Sequence, residues 1–352
     1  MRRLDRYIAR SVWLSVLLVL LVVVGIDALS AFIDESQDRS ESYGFLQIAS
    51  YVVYTLPGRI YEYVPFAALI GSLIGLGNLA SSSELVVMRA AGVSNGRLAR
   101  VVLFHALLMA GLGFALGEYI APQAEQTAQS SRALALYADR QGDSETGIWK
   151  RDERMFIRVE ALQGSQRVFG VSVFEWGADG RLARALFADR GDYEPGGWML
   201  SDVRISDPGD AGVETATQEQ LFLASNVTPQ VLTLENVAPG QLALNDLVGY
   251  SAFLRSQGQD TADFELALWR KLLQPVAIAA LVLVAISFVF GPLRDGTLGF
   301  RIFAGVMVGV LFRLSQDLLG PASLVFGFAP LYAAVLPVVL CAGLGLLLLR
   351  RA

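Results

Sequence analysis

The stretch that decides the class of this protein is "SVWLSVLLVLLVVVGIDALSAFI", residues 11–33, in which only Asp27 carries a charge. A helix rises about 1.5 Å per residue, so about 20 apolar residues cross the roughly 30 Å hydrocarbon layer of a membrane. The run is longer than the apolar core of a signal peptide, and no clear small-residue cleavage site follows it. It therefore predicts a membrane-spanning helix that is retained as an anchor.

Five more apolar runs of this length follow along the chain. They cover residues 60–80, 101–120, 272–290, 302–319 and 331–349. The composition agrees, because 54% of the residues are hydrophobic and 17% are charged, against about 25% charged in soluble domains. The sequence predicts an integral membrane protein with six helices and one large insertion after the third.

The short loops predict the orientation, because loops rich in Lys and Arg stay on the cytoplasmic side. The loop 34–56 holds four acidic residues against Arg39 alone, whereas the termini and the loops 81–100 and 291–301 are basic. Their arginines are Arg2, Arg3, Arg6, Arg10, Arg89, Arg97, Arg100, Arg294, Arg301, Arg350 and Arg351. We expect both termini in the cytoplasm and the insertion outside it, in the periplasm of a cell with two membranes.

The sequence of the insertion predicts an all-β domain. Short stretches such as "ERMFIRVEAL" (153–162) and "QRVFGVSVFEW" (166–176) partly alternate and are separated by Gly, Asp and Pro clusters, which favours a sandwich or a jelly roll. Helical periodicity returns from residue 242, with Asn245 as a candidate helix cap. The predicted domains are therefore 1–121 with the first three spans, 122–262 with the β domain, and 263–352 with the last three spans.

Sequence motifs for chemistry are missing. The chain has no G-x-x-x-x-G-K-[ST], G-x-S-x-G or H-E-x-x-H motif, so it has no P-loop, nucleophile elbow or zincin site. His105 and Cys341 are its only histidine and cysteine, which excludes a disulfide within the chain and a Cys/His zinc site. The net charge of −5 argues against nucleic acid as a partner. We expect no catalytic residue, metal or cofactor.

Charged residues near the spans are more informative, because each costs a few kcal/mol at mid-membrane unless it is paired. Arg313 and Asp317 lie four residues apart and can pair on one helix face, either structurally or on a polar face that lines a cavity or subunit interface. Arg59 and Arg132 lie near the outer side of the membrane. They are candidates for a phosphorylated lipid headgroup, with solvated surface charge as the alternative. Gly71 and Gly75 have the spacing that lets helices pack closely.

The loop "SSSELVVMRAAGVSNGRLAR", residues 81–100, predicts a short helix. Glu84 suits its start, because a carboxylate there complements the helix dipole. Gly92 is expected to end it, and Ser94 or Asn95 to begin the next helix. Such a helix could dock into a groove of a motor subunit or rest on lipid headgroups; the residues alone leave both readings open.

Four motifs together indicate a family. They are "LDRYIAR" (4–10), "SSSELVVMRAAGVS" (81–94), "GEYIAPQAEQTAQSSRA" (117–133) and "FGPLRDGTLGFR" (290–301). With the order of three spans, a large domain and three spans, the chain resembles the LptF/LptG family of lipopolysaccharide export permeases, and within it the LptG type. The resemblance covers nearly the whole chain.

The resemblance implies an inner-membrane transporter that takes lipopolysaccharide from the outer leaflet and passes it to a periplasmic bridge. Its partners would be an LptF-type sister permease, an LptB-type ATPase dimer and a single-span LptC-type protein, and its β domain would be a jellyroll. The coupling helix would cover about 84–100, with Glu84, Leu85, Met88 and Arg89 against the ATPase. Arg59 and Arg132 would meet the lipid phosphates.

Other readings predict different features. A permease for lipoproteins commonly carries its large domain after the first span, not the third. A membrane-anchored scaffold would have no ATPase partner and no need for Glu84. An intramembrane enzyme would need a catalytic constellation, which the sequence lacks.

Overall fold

A computed structural model describes residues 2–139, 147–152, 154–163, 166–177, 180–209, 212–235, 237–256, 258–291 and 297–350. The chain divides into two units. The helical unit contains Met1–Ser30, Leu56–Pro122 and Pro239–Ala352, and the sheet unit contains Ala31–Thr55 and Gln123–Ala238. Arg294 and Arg351, which entered the topology prediction, lie outside the described residues. The predicted boundaries at 121/122 and 262/263 stay a prediction.

Within the described ranges, six helical stretches are long and apolar enough to cross a membrane, as predicted. The helices are α1 (Arg2–Glu35), α2 (Phe45–Ser81), α3 (Glu84–Ala90), α4 (Asn95–Ala115), α5 (Ala121–Asp139), α6 (Pro229–Glu235), α7 (Leu244–Ser256), α8 (Ala262–Phe290), α9 (Leu298–Phe326) and α10 (Pro330–Arg350). Short 3-10 turns lie at Ser36–Asp38 and Pro239–Gln241. Apart from α3, α6 and α7, these helices form the spans and their extensions.

The third span differs from its prediction. After α4 the helix passes through one π-helical turn, Leu116–Ile120, and continues as α5 to Asp139. The expectation that β structure follows residue 122 is therefore wrong for these residues. Pro122 does not stop the helix, because it stands directly after the π turn, and the alanines and glutamines that follow it are good helix formers.

The helical unit packs through small residues of α2, as its glycine spacing predicted. A Cβ on Gly71 would lie 2.5 Å from the Val16 Cα, and one on Gly75 would lie 2.9 Å from the Val12 Cα. The backbone of α1 therefore lies directly against these two glycines. The Ser11 hydroxyl donates to the Gly75 carbonyl oxygen at 3.1 Å across the same contact.

Among the described residues, the sheet unit contains one antiparallel sheet of six strands, which confirms the β prediction. The strands are β1 (Ile148–Asp152), β2 (Met155–Gln163), β3 (Arg167–Trp176), β4 (Leu182–Glu194), β5 (Gly197–Gly209) and β6 (Gly212–Ala224). Each strand pairs with its neighbour in the chain, and the order β1 to β6 leaves the sheet open. One face carries the core, where Val173 pairs with both Ile157 and Leu186 and all three are buried.

A buried carboxylate ties the end of β1 to the chain that leaves the sheet. Asp152 accepts hydrogen bonds from the Ser225 hydroxyl at 2.7 Å, the Asn226 backbone N–H at 2.8 Å and the Asn226 side-chain amide at 3.2 Å. Nearby, the indole N–H of Trp198 donates to the Val227 carbonyl at 2.8 Å. The segment after β6 is thus fastened to both β1 and β5.

Candidate functional site

The short helix α3 lies between α2 and α4 and begins at Glu84, as predicted. Ser83, just before it, has φ of 59°, a left-handed conformation that turns the chain sharply. Its side chain makes no capping hydrogen bond. Instead the Ser82 hydroxyl donates to the Glu84 carboxylate at 3.0 Å. The carboxylate is thereby held at the positive end of the helix.

The end of α3 and the start of α4 agree with the sequence prediction. Gly92 has φ of 86°, which glycine adopts without steric cost. The Ser94 hydroxyl then accepts a hydrogen bond from the Arg97 backbone N–H at 3.3 Å and caps α4. The exposed turn between α3 and α4 is therefore built by Gly92 and Ser94.

The two faces of α3 differ in exposure. Leu85 and Met88 keep only 4% and 8% of their surface exposed and belong to the core of the helical unit. Val86 and Val87 are 60% and 67% exposed. Leu85 and Met88 therefore pack against the chain's own core, because their i, i+3 spacing places both on the stripe that covers it. Of the candidate coupling residues, Arg89 is exposed and Glu84 is half-buried.

Two arginines fix the helices that flank α3, and sequence reasoning had used them only to set orientation. Arg97, in the first turn of α4, contacts the Asp5 carboxylate of α1 at 3.1 and 3.2 Å. Arg301, in the first turn of α9 and buried, donates to the Gly77 carbonyl near the end of α2 at 3.3 Å. The last turns of α2 and the first turn of α4, which flank α3, are thus each bonded to another helix of the unit.

Arg59, one of the two predicted phosphate ligands, lies in an ion pair. Its guanidinium donates to the Asp27 carboxylate, which also accepts from the Tyr63 hydroxyl at 2.8 Å. Asp27 is the charge that interrupts the first apolar run, and this contact between α1 and α2 explains how it is tolerated. All three residues belong to the helical unit.

Arg132, the other predicted phosphate ligand, belongs to the sheet unit and contacts two carboxylates, Glu35 and Asp38. Glu35 also accepts from the Tyr43 hydroxyl at 3.0 Å. Burial and the Glu35 carboxylate raise the pKa of Tyr43 well above its ordinary value. Arg132 is thereby held by α1 and the turn after it, and Asp38 is the more exposed of its two partners.

Arg313 and Asp317 lie together on α9, with the guanidinium Nε 2.9 Å from the carboxylate oxygen. Arg313 also reaches Glu62 of α2 at 2.7 Å. The second contact was not foreseen, because it joins residues far apart in the sequence. All three side chains remain nearly half exposed, so the cluster sits at a surface of the helical unit.

These clusters share one electrostatic character. Arg59, Arg132 and Arg313 each face at least one carboxylate of the same chain. An anion that binds one of these guanidinium groups must therefore compete with a carboxylate already in place. A phosphate can do so, because it carries more charge and three acceptor oxygens.

Over the residues that it describes, the structure has six membrane-length helical stretches, an insertion with a six-stranded sheet after the third, and a short helix after the second. These features define a polytopic membrane protein built as a transport permease. The chain belongs to the family of lipopolysaccharide export system permeases LptF/LptG, whose model matches residues 6–351. This confirms the family resemblance. The family is one of permeases rather than of enzymes.

Curated relatives of the LptG type cover almost the entire chain. It is 33% identical over 338 residues to the lipopolysaccharide export system permease protein LptG of Escherichia coli strain K12, with 95% of this chain and 94% of that protein covered. It is also 33% identical over 337 residues to LptG of Haemophilus influenzae strain KW20, with the same coverage.

Proposed function

We propose that this chain is the LptG-type permease subunit of an ATP-driven lipopolysaccharide exporter in the inner membrane. The observation that carries the proposal is the family match over residues 6–351, supported by the six spans and the β insertion after the third. In this role it takes lipopolysaccharide from the outer leaflet and passes it towards a periplasmic bridge. Both termini lie in the cytoplasm and the sheet in the periplasm.

The proposed partners are an LptF-type sister permease, an LptB-type ATPase dimer and a single-span LptC-type protein. The helical unit supports partners within the membrane, because α1 and α9 leave most of their apolar surface uncovered. Leu18 and Leu21 of α1 and Leu318 of α9 are examples of exposed side chains on these helices. In a membrane this surface meets lipid or a second permease.

We propose that α3 transmits the movement of the ATPase. Val86 and Val87 supply the apolar contact, and Glu84 and Arg89 supply charges beside it. Arg97 joins α4 to α1, and Arg301 joins α9 to α2, so a movement that α3 passes to α2 and α4 also reaches α1 and α9. Closure of an ATPase dimer would then move α2 and α4 and change the shape of the lipid cavity.

Arg59 and Arg132 are the proposed phosphate contacts, through exchange of partners. A lipid phosphate that displaces Asp38 or Asp27 takes over the guanidinium, and the released carboxylate returns to water. Asp38 is half exposed, so its ion pair with Arg132 is the one that water screens most. Arg132 is therefore expected to exchange more readily than Arg59.

The first test is purification of the chain from detergent-solubilised membranes, followed by mass spectrometry of the associated molecules. We expect an ATPase, a second six-span permease and lipopolysaccharide. Recovery of the chain alone, under conditions that preserve other membrane complexes, would favour a scaffold without transport.

The second test is Arg132→Glu, with Arg184→Glu as the matched control, because Arg184 pairs with Asp207 at 2.9 Å elsewhere in the sheet unit. Arg132→Glu should lower lipopolysaccharide-stimulated ATP hydrolysis while the complex stays assembled. Arg184→Glu should leave it unchanged. Wild-type stimulation in Arg132→Glu would remove this residue from the proposed site.

A further inference from the structure

A buried ammonium group lies where four segments of the helical unit meet. Lys271, early in α8, has a side chain that is only 3% exposed. Its Nζ lies 2.8 Å from a Glu118 carboxylate oxygen, 3.0 Å from the Gly117 carbonyl oxygen and 2.7 Å from the Leu242 carbonyl oxygen. An ammonium group has three N–H donors, and each finds one acceptor here.

One of these acceptors is made available by the π turn. The backbone N–H of Ala121 bonds to the Leu116 carbonyl in the five-residue spacing of that turn. The same spacing would give the Gly117 carbonyl to residue 122, which is proline and has no N–H. The ammonium group supplies the donor that the backbone cannot.

Glu118 extends the contact to α7. Its two carboxylate oxygens lie 2.9 and 3.1 Å from the backbone N–H of Leu244, the first residue of that helix. Asn245, the predicted cap, already lies inside the helix, so that prediction is wrong and Glu118 supplies the acceptor. The ring of Tyr61, on α2, packs against the π turn beside the ammonium group, because a Cβ on Gly117 would collide with this ring.

The presence of lysine rather than arginine at position 271 fits the geometry of these contacts. Among 28 basic residues, lysine occurs only at positions 150 and 271, and all others are arginine. Three acceptors converge on a single atom, which suits an ammonium group. A planar guanidinium spreads its donors over a larger fork and cannot place three of them at one point. Lys271 therefore occupies a position where arginine does not fit.

We propose that Lys271 is a positioning residue for transport: it fixes the π turn of the third span and the first turn of α7 to α8. Pro122, directly after the turn, is the last residue of its segment in the helical unit. These contacts of Lys271 and Glu118, here called the lock, thus set how the third span ends within the helical unit. The role of Lys271 in transport rests on the proposed function, whereas its role in holding the π turn and α7 to α8 does not.

The test compares Lys271→Arg and Lys271→Met with Lys150→Arg, the same change at the other lysine, in the full chain within its purified complex. Hydrogen exchange by mass spectrometry follows residues 116–122 and 239–248. Both Lys271 variants should speed exchange there by about tenfold or more, since hydrogen bonds to a buried charge are lost. They should also reduce lipopolysaccharide-stimulated ATP hydrolysis several-fold. Lys150→Arg should match the wild type in both.

Glu118→Gln gives an independent arm, with Glu265→Gln as its control, because Glu265 pairs with Arg255 at an exposed site. Glu118→Gln should speed hydrogen exchange in the same two segments, and Glu265→Gln should not.

Wild-type exchange in Lys271→Arg would show that any cation suffices and would overturn the inference. Faster exchange with unchanged hydrolysis would make the lock purely structural. The role would also be purely structural if the two Lys271 variants and Glu118→Gln all fail to accumulate in the membrane while both control variants accumulate.

If the wild-type complex shows no hydrolysis that depends on lipopolysaccharide, the proposed function fails instead. The exchange results would still decide whether Lys271 holds the π turn.

Discussion

The apolar contact proposed for α3 can be removed without disturbing the fold. The double variant Val86→Ala/Val87→Ala shortens the two exposed valines, and alanine is the better helix former, so α3 itself should not weaken. Each substitution removes two methyl groups, worth about 0.8 kcal/mol each when fully buried. The valines expose 60% and 67% of their surface. Docking that covers this surface therefore gains roughly 2 kcal/mol from the pair.

A loss of about 2 kcal/mol corresponds to about thirtyfold weaker binding. The assay is the affinity of the purified permease complex for the separately purified ATPase, with the melting temperature measured on the same samples. Val248→Ala is the matched control, because Val248 is an exposed valine of α7. It should change neither quantity.

Leu85→Ala gives the opposite signature. Leu85 is buried, so its truncation should cost about 2–5 kcal/mol of stability and lower the melting temperature. The reasoning fails if the valine double variant binds the ATPase as the wild type does. It also fails if Leu85→Ala weakens binding at an unchanged melting temperature.

Three further variants test the fold. Gly75→Leu should lower the unfolding free energy by about 1–3 kcal/mol or more, because even a Cβ there would lie 2.9 Å from the Val12 Cα; detergent melting curves measure it. Asp152→Ala should cost about 2–4 kcal/mol, since three donors lose their acceptor; tryptophan fluorescence during thermal unfolding measures it, because three of the five tryptophans lie in the sheet. The raised pKa of Tyr43 means that the fold favours the neutral phenol. Stability should therefore fall as pH rises above about 10, and Tyr43→Phe should remove that part of the loss in unfolding curves against pH.

Each of these variants has a control in the chain. Gly343→Leu adds the same side chain where nothing lies within 4 Å of the Cβ position. Asp207→Ala removes a carboxylate from an exposed ion pair, which should cost less than about 1 kcal/mol. Tyr332→Phe removes an exposed hydroxyl and should leave the alkaline unfolding unchanged. Equal effects in variant and control would refute the corresponding argument.

The spans were predictable because an apolar run of membrane length is a local signal. The helix α5 was not predicted, since residues 123–139 have the polar composition of a segment outside the membrane and follow a proline, which commonly ends a helix. The alternating stretches predicted strands correctly. Their sequential order, by contrast, is a matter of pairing that no single stretch encodes.

The candidate site was predictable in position but not in detail. The start of α3 and its end at Gly92 follow from local residue chemistry. The periodicity of the helix also placed Leu85 and Met88 on one face, but it did not show whether that face meets the chain or a partner. The partners of Arg59 and Arg132 lie 32 and 97 residues away, so their ion pairs required the fold.

Because the chain has only two lysines, chemical modification of their amines can report on its conformation. An amine-reactive reagent has two lysine side chains to modify, one in the sheet and one sealed in the helical unit. Modification of Lys271 relative to Lys150 therefore measures how often the sealed site opens during a transport cycle. It does so without an engineered label and in the native membrane.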